Sequence, residues 1–179
     1  MATEPAAIAT SPAHTEPARG KAAGAVRISR DLVLLLARIG LGIVMILHAK
    51  LEWDFGGGSV SGVAKLFAQG NVPFPTLSAT FNLGLEFVGG ALMIAGAALP
   101  LIGVAMAVNM VGAWAFVHTS GLFAMDHNGP ELVIVIGLLS LVLAVVGSGR
   151  LGIDHWAGRW YRNRTSASTG GIPTRSSAR

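Results

Sequence analysis

Apolar and polar positions along the chain separate into four long apolar runs divided by short polar connections. The first run, 32–53, holds Arg38 near its start and a polar cluster at its end. The second, 76–99, has Glu86 as its sole ionisable residue. The third, 101–120, carries Asn109 and His118, and the fourth, 131–147, is the least interrupted. An α-helix rises ~1.5 Å per residue, so about 20 residues cross ~30 Å of hydrocarbon. All four runs approach that length, the fourth at the short end. The pattern predicts an all-α protein, a polytopic membrane protein built as a four-helix transmembrane bundle.

The punctuation between runs agrees with this division. Pro75, Pro100 and Pro130 each stand where a run begins, and a first helical turn tolerates the missing N–H and fixed φ of proline. Asn128-Gly129-Pro130 reads as a turn feeding the fourth helix, with Asn128 or Gly129 as its cap. Little more than Pro100 parts the second and third runs, which predicts an antiparallel hairpin. Gly56-Gly57-Gly58 reads as a flexible turn after the first run. Beyond it, Val60, Val63 and Phe67 recur at helical spacing within 59–68, with Leu66 alongside. That spacing predicts a short interfacial helix between spans 1 and 2, lying on the outer surface or folded back as a lid. Asn71, Pro73 and Pro75 end it. Small residues recur through the runs (Gly40, Gly42, Gly89, Gly90, Gly103), as close helix approach in lipid requires.

Composition sharpens the class. Apolar residues make up 52% of the 179 residues and charged residues 12%, about half the charged share of a soluble globular domain. The charge is uneven. Residues 1–30 carry Arg19, Lys21, Arg27 and Arg30, and 148–179 carry Arg150, Arg159, Arg162, Arg164, Arg175 and Arg179. The segment 31–147 holds three basic and six acidic residues. By the positive-inside rule both tails face the cytoplasm, an N-in/C-in topology in the plasma or inner membrane. The basic balance thus belongs to the tails and gives no support to nucleic-acid binding. Three regions follow: a disordered tail over 1–30, a transmembrane domain over 31–147, and a basic segment and tail over 148–179. In that last region Trp156, Trp160, Arg159 and Arg162 read as membrane-interface anchors, with docking of a cytoplasmic partner as the alternative. The absence of cysteine excludes disulfides, Fe–S clusters, thiolate zinc and covalent or thiolate-bound cofactors on this chain.

Ionisable residues inside the spans are the candidates for chemistry. Glu86 falls near the middle of its run and Arg38 about a third of the way into the first. An isolated charge at that depth costs on the order of 3 kcal/mol, so each needs a partner. An Arg38–Glu86 ion pair is expected, serving either to fix helix packing or as a proton or quinone-headgroup site. A second group gathers at the outer face: His48, Lys50 and Glu52 end the first run, His118 ends the third, and Glu131 begins the fourth. A haem between His48 and His118 is the weaker reading, because one histidine pair is available and Lys50 crowds it. No metal site is assigned, since the convergence of His48, His118 and Glu131 is not legible. A polar pocket accounts for these residues together, and no catalytic residue is assigned.

Several motifs carry a family resemblance. Arg38, Gly40, Leu41 and Gly42 followed by His48-x-Lys50, then Glu86 with Gly89-Gly90, resemble DoxX-family membrane proteins. His118, the Asn128-Gly129-Pro130-Glu131 start of the fourth run, and Gly149-Arg150-Leu151-x-x-Asp154 continue the likeness over about 34–156. Ala49 departs from it, where glycine is common in the family. The resemblance implies a four-span protein linked to quinol oxidase or to membrane redox-defence complexes. It points to a cofactor-free subunit of a quinone-linked membrane oxidoreductase, with quinone held at Arg38, His48, Lys50, Glu86, His118 and Glu131. The alternatives are a non-catalytic scaffold or assembly factor for such a complex, and a small-molecule transporter. The expected partners are the lipid bilayer and either other subunits or further copies of the chain.

Overall fold

A computed structural model describes the backbone over residues 16–119 and 129–169, and side chains over 24–119 and 129–164. Every regular element among the described residues is a helix, with no strand. Helix α1 runs Glu16–Phe55, α2 Val60–Gln69, α3 Pro75–Gly84, α4 Gly90–Ala95, α5 Leu99–Phe116, α6 Glu131–Val146 and α7 Ile153–Thr169. A single π-helical turn, Leu85–Gly89, joins α3 to α4, so Pro75–Ala95 is one continuous helix of 21 residues. Three helices, Gly24–Phe55, Pro75–Ala95 and Leu99–Phe116, are long and apolar enough to cross a membrane. The fourth apolar helix, α6, has 16 residues, or about 24 Å of rise.

Helix α1 begins well before the apolar run at Leu32, inside the segment expected as a tail, and α7 likewise extends to Thr169. The Asn128 cap lies outside the described residues, and Pro130 itself holds the N-cap position of α6. The short helix expected over 59–68 is α2, capped by the Ser59 hydroxyl, which accepts from Gly62 N at 3.1 Å.

Each apolar helix buries one stripe. On α1 the buried positions are Leu34, Arg38, Leu41, Gly42, Met45 and Ala49, spaced by three and four as a single face demands. They meet Met93, Met106, Met110, Ile136 and Leu143 in the main core. A second cluster, Ala49, Val63, Ala64, Ala79 and Leu83, seats α2 on α1 and α3. The opposite faces stay apolar and exposed, as at Leu36, Leu47, Val108, Leu138 and Val145. Exposed apolar faces on helices this long are what a lipid-bathed bundle presents.

Glycine sets the closest approach between α1 and α4. A Cβ on Gly42 would stand 2.5 Å from the Gly90 carbonyl, and one on Gly90 would stand 2.9 Å from the Gly42 carbonyl. This contact aligns the two helices: Gly42 opposes Gly90, and one turn further down Arg38 lies against Gly96. Gly96 closes α4 in the left-handed region, φ +68°, where glycine carries no steric penalty.

Candidate functional site

The end of the bundle covered by α2 contains a cavity of about 250 Å³. Its polar wall follows from helical spacing. His48 and Glu52 lie one turn apart on α1, as do Asn82 and Glu86 on the second long helix, and Asn109 faces them from α5. Phe67 of α2, with Val72 and Pro73 beyond it, closes one side, while Met45, Met110, Val133 and Ile136 supply apolar floor. His118, just past the end of α5, sits at the rim.

Three helices are tied together across this wall. Asn109 Nδ2 donates to Asn82 Oδ1 at 2.7 Å, and Asn82 Nδ2 donates to Glu52 Oε2 at 2.6 Å. His48 Nδ1 lies 3.3 Å from the Val44 carbonyl, one turn back on its own helix. Glu86 is 3% exposed, yet its Oε2 has no hydrogen-bond partner among the described residues, and neither does His118 Nδ1. Buried polar atoms are nearly always satisfied, so unpaired ones facing a cavity call for a ligand or water. Glu86 lies within the π-helical turn, a feature that re-aims side chains and recurs at functional sites.

Of the candidates read from the sequence, the cavity gathers His48, Glu86 and His118. It does not gather Arg38, Lys50 or Glu131. The expected Arg38–Glu86 ion pair is absent. Arg38, fully buried, donates through Nη1 to the Ser148 carbonyl at 2.8 Å and feels the charge of Asp154. The reason is register: Arg38 opposes Gly96, ten residues and about 15 Å along the helix from Glu86. Lys50 points outward and pairs with Asp54 at 2.5 Å, both side chains being more than half exposed. Glu131 folds its carboxylate back over Gly129 at the start of α6, where the helix dipole favours it. Among the described residues no group of three or more His, Asp or Glu is placed to hold a metal ion.

Asn82 and Asn109 are the residues the sequence did not single out for the pocket, while Glu52, grouped there with His48, does line it. Spacing was the available signal, since Glu52 follows His48 by four and Asn82 precedes Glu86 by four. At the other end of the chain Trp156, Trp160, Arg159 and Arg162 lie exposed on α7, and the Arg164 guanidinium stacks 3.7 Å over the Trp160 ring.

Residues 33–119, which include the whole polar wall of the cavity and His118, match the family model described as DoxX. The chain is also similar to "Putative oxidoreductase CatD" of Bacillus subtilis (strain 168), 27% identical over 135 residues. That alignment covers 75% of this chain and 94% of the relative. No solved structure matches the chain.

Proposed function

Because the chain is a DoxX-family membrane protein, we propose that it serves as a cofactor-free subunit of a quinone-linked oxidoreductase complex and that its cavity takes the headgroup of a quinone or quinol. It would do so as a four-span protein of the plasma or inner membrane, N-in/C-in, with α6 as the fourth span and α2 as a lid. The observation that carries this reading is Glu86: a buried carboxylate with an unpaired oxygen, facing an otherwise largely apolar cavity. Such a pocket, mostly apolar with a few convergent polar groups, suits a small ring-shaped ligand. The name of the Bacillus subtilis relative agrees with redox work in this family.

The residues present fit that group. The free polar atoms of two lining residues, Glu86 Oε2 and His118 Nδ1, would hold the ring oxygens. A quinone or quinol, when bound, supplies the electron and proton chemistry that no side chain here provides. The chain's own residues then position and exchange protons. Glu86 accepts a hydrogen bond from a ring hydroxyl or holds a proton toward a ring carbonyl. Asn82 keeps Glu52 in place through its 2.6 Å hydrogen bond, so that a second carboxylate faces the same space. Phe67 and the apolar floor exclude water, which strengthens each polar contact.

The test is binding by the purified full chain in mild detergent. Short-chain quinone and quinol analogues should bind, and Glu86→Gln should weaken the quinol by roughly tenfold, as loss of a buried hydrogen bond does. Failure of both redox forms to bind, with Glu86→Gln indistinguishable from wild type, would overturn the proposal. A scaffold role has one observation in its favour: α7 presents Trp156 and Trp160 at 67% and 57% exposure among arginines. It predicts that removing α7 abolishes recovery of partner subunits while the bundle still inserts.

A further inference from the structure

At the end of the bundle opposite the cavity lies an open groove of about 790 Å³, between the N-terminal half of α1, the start of α5 and the turn from α6 to α7. Arg27, Arg30 and Arg150 line it, together with Asp31, Asp154 and His155. Its two acids are already committed to the fold. Asp31 Oδ1 accepts from Arg150 N at 3.2 Å, and Asp154 accepts from Ala98 N and Leu99 N at 2.7 and 3.0 Å. The three guanidinium groups are exposed and have no hydrogen-bond or ion-pair partner among the described residues. The groove therefore presents three unpaired cations beside two carboxylates that accept from backbone N–H groups, Asp154 through both oxygens and Asp31 through Oδ1.

Its position in the fold selects the anion. Pro100 and Val146, which form the apolar part of the lining, stand at the ends of the apolar helices α5 and α6. One residue inward, Leu101 and Val145 are 71% and 87% exposed, so an apolar surface begins where the arginines stop. An acyl chain would cover those side chains, and a phosphate at the end of it would lie among the guanidiniums. Arginine suits phosphate because its planar fork donates two parallel hydrogen bonds. We infer that this groove is a binding site for the phosphate headgroup of an anionic phospholipid, held by Arg27, Arg30 and Arg150. The site is independent of the cavity and of any ligand there. It seats one lipid against the α6–α7 turn and so steadies the turn whose Ser148 carbonyl holds Arg38.

The experiment titrates the detergent-purified full chain with short-chain phosphatidylglycerol, with phosphatidylcholine and with inorganic phosphate, reading stoichiometry and affinity calorimetrically. Phosphatidylglycerol should saturate at one molecule per chain and bind well ahead of the other two. A basic residue near an anionic headgroup contributes about fivefold in affinity. Arg27→Gln with Arg150→Gln should therefore weaken it roughly 25-fold, and adding Arg30→Gln should take the loss to on the order of 100-fold. The control is Lys65→Gln with Arg164→Gln, which removes the same charge outside the groove and should leave the affinity within about twofold. Equal losses in the two double variants would reduce the site to diffuse charge and overturn the inference. So would phosphate binding as tightly as the lipid, or phosphatidylcholine binding equally well. All these side chains are exposed on helices or a turn, so the variants should fold, and an unchanged thermal midpoint without lipid verifies it.

Discussion

Arg38 donates to the carbonyl of Ser148 at 2.8 Å, binding the first helix to the turn that follows the last apolar one, 110 residues further along the chain. Its guanidinium also fills the space beside Gly96 and Gly152, where a Cβ on either residue would collide with it. One side chain thus gathers three parts of the bundle's lower end. Its Nε and Nη2 have no partner among the described residues, and buried water is the usual answer at such a site.

This arrangement separates Arg38 from Glu86 energetically. A double-mutant cycle with Arg38→Met and Glu86→Gln, read by thermal or denaturant unfolding in detergent, should be additive within about 0.5 kcal/mol. An ion pair would give a coupling clearly above that. Arg38→Ala, which empties the space beside Gly96, should cost about 2 kcal/mol or more.

Asp154 caps a helix that is not its own. Its carboxylate takes the N–H groups of Ala98 and Leu99 at the start of α5, and its own N–H donates to the Gly96 carbonyl at 3.0 Å. Asp154→Ala should lower stability by about 1 kcal/mol, and Asp154→Asn should recover part of the loss because an amide oxygen still caps. Hydrogen exchange at Ala98 and Leu99 should rise in both variants, more in the alanine one.

Neighbouring glycines of α1 should respond with opposite signs. Gly40 has nothing within 4 Å of an added Cβ, so Gly40→Ala should stabilise by about 0.5–1 kcal/mol through helix propensity. At Gly42 the same methyl would stand 2.5 Å from both the Gly90 carbonyl and Ile94 Cγ1. Gly42→Ala should separate α1 from α4 and destabilise by about 1–3 kcal/mol. Unfolding midpoints of the two variants, measured side by side, check the pair.

The amide bridge over the cavity predicts an asymmetric response. Asn82→Leu keeps the size of the side chain but leaves Asn109 Nδ2 and Glu52 Oε2 without their partner. It should cost about 1–3 kcal/mol and weaken any cavity ligand. Asn109→Leu strands a single atom, Asn82 Oδ1, and should cost less. Lys50→Ala, whose pair with Asp54 is exposed, should leave ligand affinity unchanged, as exposed ion pairs contribute little. Binding and unfolding measured on the same preparations distinguish these outcomes.

The local features of the chain were legible because they depend on neighbours in sequence. The α2 helix follows from Val60, Val63 and Phe67 at helical spacing, and Pro75 stands in the first turn of α3. The long apolar helices follow from uninterrupted hydrophobic length, which lipid requires of any crossing segment. Glu86 and Arg38 drew notice because an ionisable group in such a run is costly. Their partners were not legible. Depth counted from the ends of two runs placed them within reach of each other, whereas the Gly42–Gly90 contact sets the register and slides them apart.

By itself, then, the sequence determined the helical class, the apolar lengths, the charged tails and the family likeness, all of which rest on composition and short-range periodicity. Tertiary structure alone decided that Glu52, Asn82 and Asn109 form one hydrogen-bonded wall with Glu86 beside it, and that Arg38 belongs to the opposite end with Ser148. It also decided that Asp154 caps α5. The physical reason is common to all three. Each depends on the axial offset between packed helices, and one turn of offset, about 5.4 Å, exceeds the reach of a hydrogen bond.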